Sequence, residues 1–519
     1  MTAPPERARA LTYEELCKVI EDVMSMNHNR PLLRVIDSNL LPSKSQYPAA
    51  YLSTLSEKDL NLALRCIVVA FYVMEGREIP REHQVRAVLA SYRNDSAIIA
   101  GTGSGKTLIT ALLMWMTGRG RVSITAKDFE EKYRIPTLVV NESTERTAEF
   151  WKKNVFDSSS SIRSPGHVQH LLVTPEQLFK LKEGYYSRTG HLIRTQSYKK
   201  FIARFFIDEA HFIHYAGLPH NTQPAFRPAY GRLDEIKVIF PNIPWHALTA
   251  TAPPHVLRSI QSAVLDSKCQ VIRYSSNRPN TVYAMHCVDG TLNNLDNYNM
   301  FLKEPFDFDM QPRVLLFFDN KTLCAQVRQH LMERLPKTGL PFPREEIVRF
   351  YRAGMSKEFL EKAHNAFATP DDAVKSITEQ GIDYPDVDIV ANVDIPPDIA
   401  EALQRGGRVV RCSVKTGLFL ILYEEWVLGL DLSAFFEEPK GVDANDPDRP
   451  RQPLTDKSNR QDRVPYSMAS LIHDGSICLR KFFADYLHDK CPSAMSFNGS
   501  YCCHRHDGFD LQNWIPGPI

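Results

Sequence analysis

Short apolar runs alternate with amphipathic stretches along most of the chain. Five continuous apolar runs of strand length occur in the first half, namely SAIIA, TLVV, HLLV, RFFID and HALTA. The stretch TLITALLMWMTG, which follows the first of them, has the spacing of a helix. Buried strands that alternate with helices are typical of a parallel sheet covered by helices. The sequence therefore predicts an α/β lobe over residues 66–285.

A second series of the same kind begins after the segment NRPN. It contains the apolar runs VLLFF, VDIVANV and LFLILY, and the amphipathic stretches KTLCAQVRQHLMERL, SKEFLEKAHNAFA and DIAEALQRGG. Continuous apolar runs are expected where both faces of a parallel sheet are covered. We therefore predict a second α/β lobe over residues 286–434, in tandem with the first.

Three flanking segments have other patterns. Residues 1–65 have helical patterning, as in LTYEELCKVIEDVM, and predict a helical extension that packs on the first lobe. Residues 435–463 are polar, rich in proline and aspartate, and without periodicity, which predicts a flexible linker. Residues 464–519 form a small segment rich in cysteine and histidine. We expect this segment to be a separate module.

Composition narrows the class of protein. The 519 residues are 43% hydrophobic and 24% charged, which is typical of soluble globular domains. No secretory signal and no long apolar run is found, so we expect an intracellular protein. The formal net charge is only +1, so any contact with nucleic acid must come from a local groove. Four of the ten cysteines crowd the last fifty residues, and in a reducing compartment they favour metal ligation over disulfides.

A glycine-rich loop follows the first predicted strand and opens the first predicted helix. Its candidate nucleotide-binding residues are Gly101, Thr102, Gly103, Ser104, Gly105, Lys106 and Thr107. Such glycines let backbone N–H groups surround phosphates, while Lys106 reaches the β and γ oxygens and Thr107 ligates Mg²⁺. A chance glycine-rich turn is the alternative, and the flanking strand and helix argue against it. We therefore predict an ATP site here, although Ala100 replaces the usual first glycine.

Two further segments complete this predicted site. Asp208 and Glu209 end the strand RFFID within the sequence DEAH. Behind a phosphate loop, Asp208 is suited to hold Mg²⁺, and Glu209 to orient and deprotonate the attacking water. Thr249 and Thr251 place two hydroxyls at the end of the strand HALTA. They are suited to relay the state of the nucleotide to bound DNA, and we take them as DNA-binding candidates.

The second lobe contains a cluster of arginines in the sequence QRGGRVVR, at residues 404–411. We predict that these residues continue a helix, on which Arg408 and Arg411 share a face. Guanidinium groups stabilise the charge that develops on a transferred phosphoryl group, so Arg408, Arg411 and Gln404 are catalytic candidates. A solvated surface arginine is the alternative for each.

Several segments together resemble the RecQ family of superfamily 2 DNA helicases. They are REHQ before the phosphate loop, LVTPE, FRPAY after DEAH, NRPN, and GIDYPDV in the second lobe. The resemblance implies two RecA-like lobes that use ATP to translocate 3′ to 5′ on single-stranded DNA and to unwind duplex DNA. It implies that Arg81 and Gln84 lie near the adenine, and that Phe226 and Arg227 contact DNA. It also implies nuclear residence and a role in recombination and repair, and we expect no winged-helix domain after residue 519.

The chain departs from the family pattern in two motifs. Asn141, Glu142 and Ser143 stand where motif Ia has a Pro-Leu pair, and the stretch DDAVKSITEQ stands where motif V has an apolar strand and an additional glycine. We therefore predict that a central strand of the second lobe is missing and that coupling to DNA is weakened. A degenerate helicase that binds ATP and DNA without efficient unwinding is the alternative. An RNA motor of the DEAH type is a third reading, against which FRPAY and the cysteine-rich tail argue.

The tail has the residue types of a structural zinc site. The family has a four-cysteine zinc module that opens with a Cys-Arg-Arg-like sequence, and CLRK at residues 478–481 resembles this opening. We predict Zn²⁺ ligation by Cys478, Cys491, Cys503 and His506, with Cys502 as the alternative to Cys503. Buried free thiols remain the competing interpretation, because the spacing is irregular.

Overall fold

The structure is a computed structural model that describes most of the chain. The described residues are 11–39, 47–76, 78–117, 120–124, 129–141, 144, 147–151, 170–180, 184–350, 355–356, 358, 376–378, 387–410, 415–437, 442–495 and 502–519. For residues 120–124 and 376–378 it describes the path of the backbone. The predicted helix SKEFLEKAHNAFA and the segment GIDYPD of motif V lie outside these residues, apart from isolated positions.

The chain forms two compact units. The first contains nearly all of residues 1–274, and the second contains nearly all of residues 275–519. The predicted boundary at residue 285 is wrong, because it cuts the strand Thr281–Cys287, which pairs within the second sheet. The predicted boundary at residue 65 falls inside the helix Glu57–Val73. The helical extension is therefore continuous with the first lobe and shares its core.

The first unit is built on a parallel sheet of seven strands. Its strands are β1 Ser96–Ile99, β2 Gly120–Ile124, β3 Thr137–Val140, β4 His170–Val173, β5 Ile202–Ile207, β6 Trp245–Thr249 and β7 Gln270–Arg273. They lie in the order β3-β4-β2-β5-β6-β1-β7. All five apolar runs of the first half form strands, as predicted. Strands β2 and β7 are additional, since GRVSI and QVIR alternate polar and apolar residues.

Helices cover this sheet and form the N-terminal extension. They are Tyr13–Ser25, Asn29–Asn39, Ala49–Leu52, Glu57–Val73, Glu82–Ser91, Lys106–Thr117, Ala148–Trp151, Arg188–Leu192, Gln196–Lys199, Phe212–Tyr215, Pro228–Gly231, Leu233–Ile239 and Pro254–Val264, with a 3₁₀ turn at Pro175–Leu178. The first helix starts at a capping box, in which Thr12 and Glu15 bond each other's backbone N–H groups. The helix Lys106–Thr117 is buried along most of its length, because it lies under both the sheet and the extension.

The second unit contains a parallel sheet of six strands. Its strands are β8 Thr281–Cys287, β9 Val314–Phe318, β10 Val348–Phe350, β11 Ser376–Thr378, β12 Ile389–Val393 and β13 Gly417–Tyr423, in the order β10-β11-β9-β12-β13-β8. Strand β11 corrects the prediction of a missing central strand. Its three residues lie within the stretch DDAVKSITEQ and pair in parallel with both β10 and β9. Pairing with a neighbouring strand on each side stabilises β11, although its sequence alone does not predict a strand.

The second unit also contains α-helices and 3₁₀ segments. The α-helices are Lys321–Arg334, Arg344–Ile347, Ile399–Gly406, Tyr466–His473 and Leu479–Leu487, and the 3₁₀ segments are Leu295–Phe301, Glu425–Gly429, Leu432–Phe436, Pro492–Met495 and Leu511–Asn513. The predicted linker is irregular over residues 442–463, but it packs on this unit. Arg449 is buried and donates to the carbonyls of Phe435 and Asp446. The tail shares a core with the second sheet, through Phe483 and Tyr283 among others, so the prediction of a separate module is wrong.

Within the part of the chain that the structure describes, no helix combines the length and the apolar character needed to cross a membrane.

Candidate nucleotide and metal sites

Three loops with candidate chemistry leave neighbouring strands of the first sheet. The glycine-rich loop follows β1, the sequence DEAH follows β5, and Thr249 ends β6. The order β5-β6-β1 places these strands side by side, and they are parallel. The carboxyl ends of parallel strands lie at one edge of the sheet, where ligands bind in open α/β folds. The predicted nucleotide residues of the first lobe are therefore brought together at one edge.

The glycine-rich loop has the backbone conformation of a phosphate cradle. Gly103 and Gly105 have φ angles of +80° and +79°, in the region that favours glycine. A Cβ atom at Gly105 would also lie 2.3 Å from the Nε2 atom of Gln84. Lys106 folds back so that its Nζ donates to the carbonyl of Ala100 at 2.8 Å. The loop thus curls around its own lysine at the N-terminus of the helix Lys106–Thr117, where backbone N–H groups favour an anion.

Gln84 supports this loop from the helix Glu82–Ser91. Its Oε1 accepts from the backbone N–H of Arg81 at 2.8 Å, and its Nε2 donates to the carbonyls of Ser104 and Gly105, each at 3.3 Å. The neighbouring His83 places Nε2 3.0 Å from the carbonyl of Ser104. Burial lowers the pKa of His83. The REHQ segment therefore shapes the phosphate loop, and the contact of Arg81 and Gln84 with adenine stays a prediction.

The two acidic residues of DEAH stand at the end of β5. The backbone N–H of Glu209 donates to Oδ1 of Asp208 at 3.0 Å. Glu209 itself has a φ angle of +47°, which is uncommon for a residue with a side chain. Backbone strain of this kind costs roughly 1–3 kcal/mol and clusters at functional sites. The strained turn fixes the direction in which the Glu209 carboxylate leaves the strand.

His211 joins this turn to the end of β6. Its Nδ1 lies 3.0 Å from Oγ1 of Thr249 and 3.3 Å from Oε2 of Glu209. The Thr249 hydroxyl in turn accepts from the backbone N–H of Thr251 at 3.1 Å. Only 3% of His211, 1% of Thr249 and 3% of Thr251 is exposed. This buried position of the two threonines suits a relay, and direct binding of DNA by them stays a prediction.

The FRPAY segment combines an exposed ring with a fixed arginine. Phe226 is 86% exposed, an unusual position for a large apolar side chain. Arg227 donates from Nε and one terminal nitrogen to the two oxygens of Glu176, both at 2.9 Å. Burial raises the pKa of Glu176, but the hydrogen bonds and charge of Arg227, a backbone hydrogen bond and the Thr174 side chain together lower it below its ordinary value. The segments LVTPE and FRPAY are thus joined by a bidentate ion pair, which the sequence reasoning missed.

The arginine cluster of the second unit departs from the prediction. The helix Ile399–Gly406 ends before Arg408, and Val409 forms an isolated bridge with Val387. A Cβ atom at Gly406 would lie 3.0 Å from the ring of Phe419, so glycine suits the close approach of the helix end to strand β13. The predicted helical face shared by Arg408 and Arg411 is therefore wrong at Arg408, and Arg411 lies outside the described residues.

The arginine that the structure fixes most firmly in this cluster is Arg405. It is 4% exposed and lies between three side chains, with 2.9 Å to Glu401, 3.0 Å to Asp319 and a short hydrogen bond to Asn392. Gln404 and Arg408 are half-buried. Arg405 therefore holds the helix against the ends of β9 and β12, and a catalytic role for Gln404 and Arg408 stays a prediction.

Four ligand atoms converge in the tail. Cys478, Cys502, Cys503 and His506 each offer a sulfur or nitrogen atom, and these atoms lie within 4.8 Å of one another. Cys491 is not among them, and the prediction that it belongs to the set is wrong. Both Cys502 and Cys503 take part, so they are partners rather than alternatives. A parallel bridge between Tyr283 of β8 and Cys503 holds the two consecutive cysteines in place.

The spacing of the sulfur atoms suits a tetrahedral metal. Sγ of Cys478 lies 3.4 Å from Sγ of Cys502 and 3.8 Å from Sγ of Cys503. Ligands about 2.3 Å from a tetrahedral Zn²⁺ are separated by roughly 3.8 Å. Hydrogen bonds from Cys502 and then Cys503 lower the pKa of Cys478. The set of three thiols and one imidazole therefore fits a closed structural zinc site.

Arg480 connects this cluster to the start of the second sheet. Its guanidinium is buried and donates to the carbonyl of Arg278 at 2.8 Å. It also donates to the carbonyl of Thr281 and to the side-chain oxygen of Asn277. Asp489 accepts from the backbone N–H and the hydroxyl of Ser276 at 2.7 and 3.0 Å. The NRPN segment is thus a structural support of the tail. The segments NRPN and CLRK were both identified from the sequence, but the contact between them was not predicted.

Comparison with known proteins agrees with these motifs. The family of helicase conserved C-terminal domains matches residues 297–413. ATP-dependent DNA helicase Q-like 4B of Arabidopsis thaliana is 31% identical over 244 residues, which are 46% of this chain and 19% of that protein. The RecQ-like DNA helicase BLM of Xenopus laevis is 26% identical over 264 residues, which are 47% of this chain and 16% of that protein. The chain thus matches less than a fifth of the length of these relatives.

A solved structure agrees with the fold. The DUF1998 helicase MrfA in a DNA-bound crystal structure superimposes with a TM-score of 0.50 and 15% identity, over 69% of this chain and 51% of that one. At this identity the likeness concerns the fold alone, and it agrees with the two predicted RecA-like lobes. The helicase motifs, the matched C-terminal domain and the RecQ-type relatives together show that this chain is similar to the RecQ family of superfamily 2 helicases.

Proposed function

We propose that this chain is an ATP-dependent DNA helicase, which couples ATP hydrolysis to 3′-to-5′ movement on single-stranded DNA and to unwinding of duplex DNA. The observation that carries the proposal is the His211 link between Glu209 and Thr249, at the same sheet edge as the phosphate loop. A hydrolase needs Glu209 at the same sheet edge as the phosphate loop. A motor also needs the buried link through His211 to Thr249, which connects this edge to the neighbouring strand.

The residues divide the chemistry among them. Lys106 and the backbone N–H groups of the loop bind the β and γ phosphates. Thr107 and Asp208 hold Mg²⁺, which neutralises phosphate charge when bound. Glu209 orients the attacking water and accepts its proton. Gln404, Arg408 and Arg411 stabilise the charge of the transition state, and Arg81 with Gln84 recognises the base of ATP.

The nucleic-acid part rests on the FRPAY segment and on the relatives. An aromatic ring that is largely exposed beside a fixed arginine suits the stacking of an unpaired base. The names of the relatives specify DNA helicases, and we extend this substrate to the present chain. Nuclear residence and a role in recombination and repair rest on the family resemblance.

Binding of ATP and DNA without efficient unwinding remains the second candidate. It was suggested by the departures in motifs Ia and V. Strand β11 removes one of its supports, because the central strand of the second sheet is in place. Of motif Ia, Glu142 and Ser143 lie outside the described residues. The motor is therefore the function that the described geometry favours.

We also propose that Cys478, Cys502, Cys503 and His506 hold one structural Zn²⁺. Three buried or half-buried thiols around one imidazole, at separations that suit a tetrahedral metal, support the proposal. The metal would supply folding free energy to the segment that surrounds it.

The decisive experiment compares nucleic acids side by side. ATP turnover is measured alone, with single-stranded DNA and with single-stranded RNA of the same sequence, and strand separation is measured on duplexes with a 3′ or a 5′ tail. We expect stimulation by DNA above that by RNA, and separation of the 3′-tailed duplex. DNA binding without strand separation would support the second candidate, and stimulation by RNA alone would overturn the DNA assignment.

A further inference from the structure

A second basic and aromatic surface lies on the first unit, next to the LVTPE segment. Between residues 180 and 200 the sequence has one acidic residue, Glu183, and six basic residues, which are Lys180, Lys182, Arg188, Arg194, Lys199 and Lys200. The whole chain has a net charge of only +1. Positive charge is therefore concentrated in this short segment, as expected where a nearly neutral protein contacts a polyanion.

Two tyrosines lie exposed within this segment. Tyr185 is 63% and Tyr186 37% exposed. The guanidinium of Arg194 lies 4.1 Å from the centroid of the Tyr186 ring, and Nζ of Lys180 lies 5.5 Å from it. Exposed aromatic rings among cations are not needed for folding, because their apolar surface stays in water. They suit the stacking of unpaired bases, which is sequence-tolerant.

The local backbone holds these rings in a defined place. Lys180 and Tyr186 form an antiparallel bridge. Arg194 donates to the carbonyls of Leu178 and Gly190 at 2.8 and 2.7 Å. The hydroxyl of Ser187 accepts from the backbone N–H of Gly190 at 3.0 Å. The rings are thus pre-ordered, which lowers the conformational entropy lost on binding.

This surface is continuous with the FRPAY segment. The 3₁₀ turn Pro175–Leu178 contains Glu176, which binds Arg227, and leads directly to Phe179. The guanidinium of Arg232 lies 4.5 Å from the centroid of the Phe179 ring and close enough to Tyr186 to interact with it electrostatically. The acidic groups along the way are paired, since Glu235 accepts two hydrogen bonds from Arg232. Contacts of Arg227 with Glu176 and of Arg232 with the buried Phe179 ring therefore connect the FRPAY segment with the neighbourhood of Tyr186.

We infer that this tyrosine–arginine strip binds single-stranded DNA beyond the segment that Phe226 contacts. The strip consists of Lys180, Tyr185, Tyr186, Arg188, Arg194 and Arg232. Tyr185 stacks on a base, while Lys180 and Arg188 neutralise phosphates. The inference rests on the proposed function and adds to it a second stretch of contacts on the first lobe, which lengthens the bound strand.

Strand length and charge reversal test the strip. Lys180→Glu combined with Arg188→Glu removes two phosphate contacts, and Tyr185→Ala removes the stacking ring. The matched control combines Lys199→Glu with Lys200→Glu. It makes the same charge change within the same segment, but at lysines that contact the rings of Phe240 and Phe201 and not the two exposed tyrosines. Binding of labelled oligo-dT of about 8 and about 24 nucleotides is measured by fluorescence anisotropy, over a range of salt.

We expect the Lys180/Arg188 variant to bind the longer strand about tenfold more weakly, with a salt slope lower by about 1.4 for two lost contacts. Binding of the shorter strand and ATP turnover without DNA should stay unchanged, and Tyr185→Ala should weaken binding of the longer strand with no change in the salt slope. Equal affinities of the test and control variants would overturn the strip alone. Failure of the unmodified chain to bind either strand would overturn the proposed function together with the strip.

Discussion

His211 Nδ1 lies 3.0 Å from Thr249 Oγ1, and this hydrogen bond joins loops that leave the neighbouring strands β5 and β6. The same nitrogen is 3.3 Å from the Glu209 carboxylate. Both partners of the hydrogen bond are buried, so water cannot replace either of them. We therefore expect a displacement at the end of β6 to reach Glu209, the proposed base.

His211→Ala should separate nucleotide binding from stimulation by DNA. Without the imidazole, the Thr249 hydroxyl loses a buried partner and the Glu209 turn loses its contact with β6. We expect the DNA-stimulated rate of ATP turnover to fall about tenfold, or about 1.4 kcal/mol of activation free energy, while ATP affinity changes little. Stimulated turnover and equilibrium ATP binding are the two measurements.

His214→Ala is the control for this variant. His214 lies in the short helix that follows His211 and places Nδ1 2.9 Å from the hydroxyl of Ser259, so its loss also removes a histidine–hydroxyl contact. We expect it to retain stimulation by DNA. If both variants lose stimulation equally, the relay through His211 has no support.

Lys106→Ala should abolish ATP turnover. The ammonium group donates to the Ala100 carbonyl within the loop at 2.8 Å, and the proposed function places it on the phosphates. Its loss removes the main side-chain contact to the β and γ phosphates. The steady-state rate of phosphate release should fall below a tenth of that of the unmodified protein, and a higher rate would contradict the motor assignment.

Glu209→Gln should bind ATP and hydrolyse it poorly. Glutamine keeps the size and the strained turn but cannot accept a proton from water. We expect normal affinity for ATP together with a loss of at least tenfold in turnover, measured by nucleotide binding and by single-turnover hydrolysis. Weak nucleotide binding by this variant would place Glu209 among the binding groups and contradict its role as the base.

Two kinds of strand show how far the local sequence predicts the fold. Strands such as Val314–Phe318 and Gly417–Tyr423 are continuous apolar runs, because helices cover both faces, and their local sequence is sufficient. Strand β11 has three residues in a polar stretch and depends on neighbours that lie far away in the chain. Long-range pairing of this kind leaves little trace in a short sequence window.

The ligands of the tail show the same limit. Spacing along the chain does not decide between Cys491, Cys502 and Cys503, because each is a cysteine in an irregular segment. The choice is made where the chain returns to β8. There the backbone N–H of Tyr283 donates to the backbone carbonyl of Cys502 at 3.3 Å. The carbonyl of Tyr283 accepts from the backbone N–H of His504 at 2.9 Å. These two bonds direct both consecutive cysteines towards Cys478.

Cysteine substitutions should distinguish the observed ligand set from the one predicted by spacing. Cys502→Ser removes a ligand and should lower the zinc content of gently purified protein well below one atom per chain. Cys491→Ser changes a cysteine outside the cluster and should leave the zinc content unchanged. Elemental analysis of both variants is the measurement. Loss of zinc in the Cys491 variant alone would restore the spacing-based set, and absence of zinc from the unmodified protein would exclude the site.

The last prediction concerns strand β11. Ile377 pairs with Arg349 on one side and Leu315 on the other, so its residue position is central in the second sheet. Proline has no N–H to donate and is confined to edges and bulges of sheets. Ile377→Pro should therefore destabilise the second unit by roughly 1–3 kcal/mol, the cost of a buried backbone group left without its partner, whereas Ile377→Val keeps the β-branched character and should cost little.

Hydrogen exchange resolves this effect by unit. In the proline variant, the amides of Val314–Phe318 should lose protection, while those of Trp245–Thr249 in the first sheet keep theirs, because the two sheets belong to separate compact units. ATP binding, which rests on the first unit, should persist, and unwinding should be lost. Unchanged protection of Val314–Phe318 would mean that β11 contributes nothing to the stability of the sheet. The polar sequence DDAVKSITEQ would then indicate a weakened motif V, as predicted from the sequence, and not a retained strand.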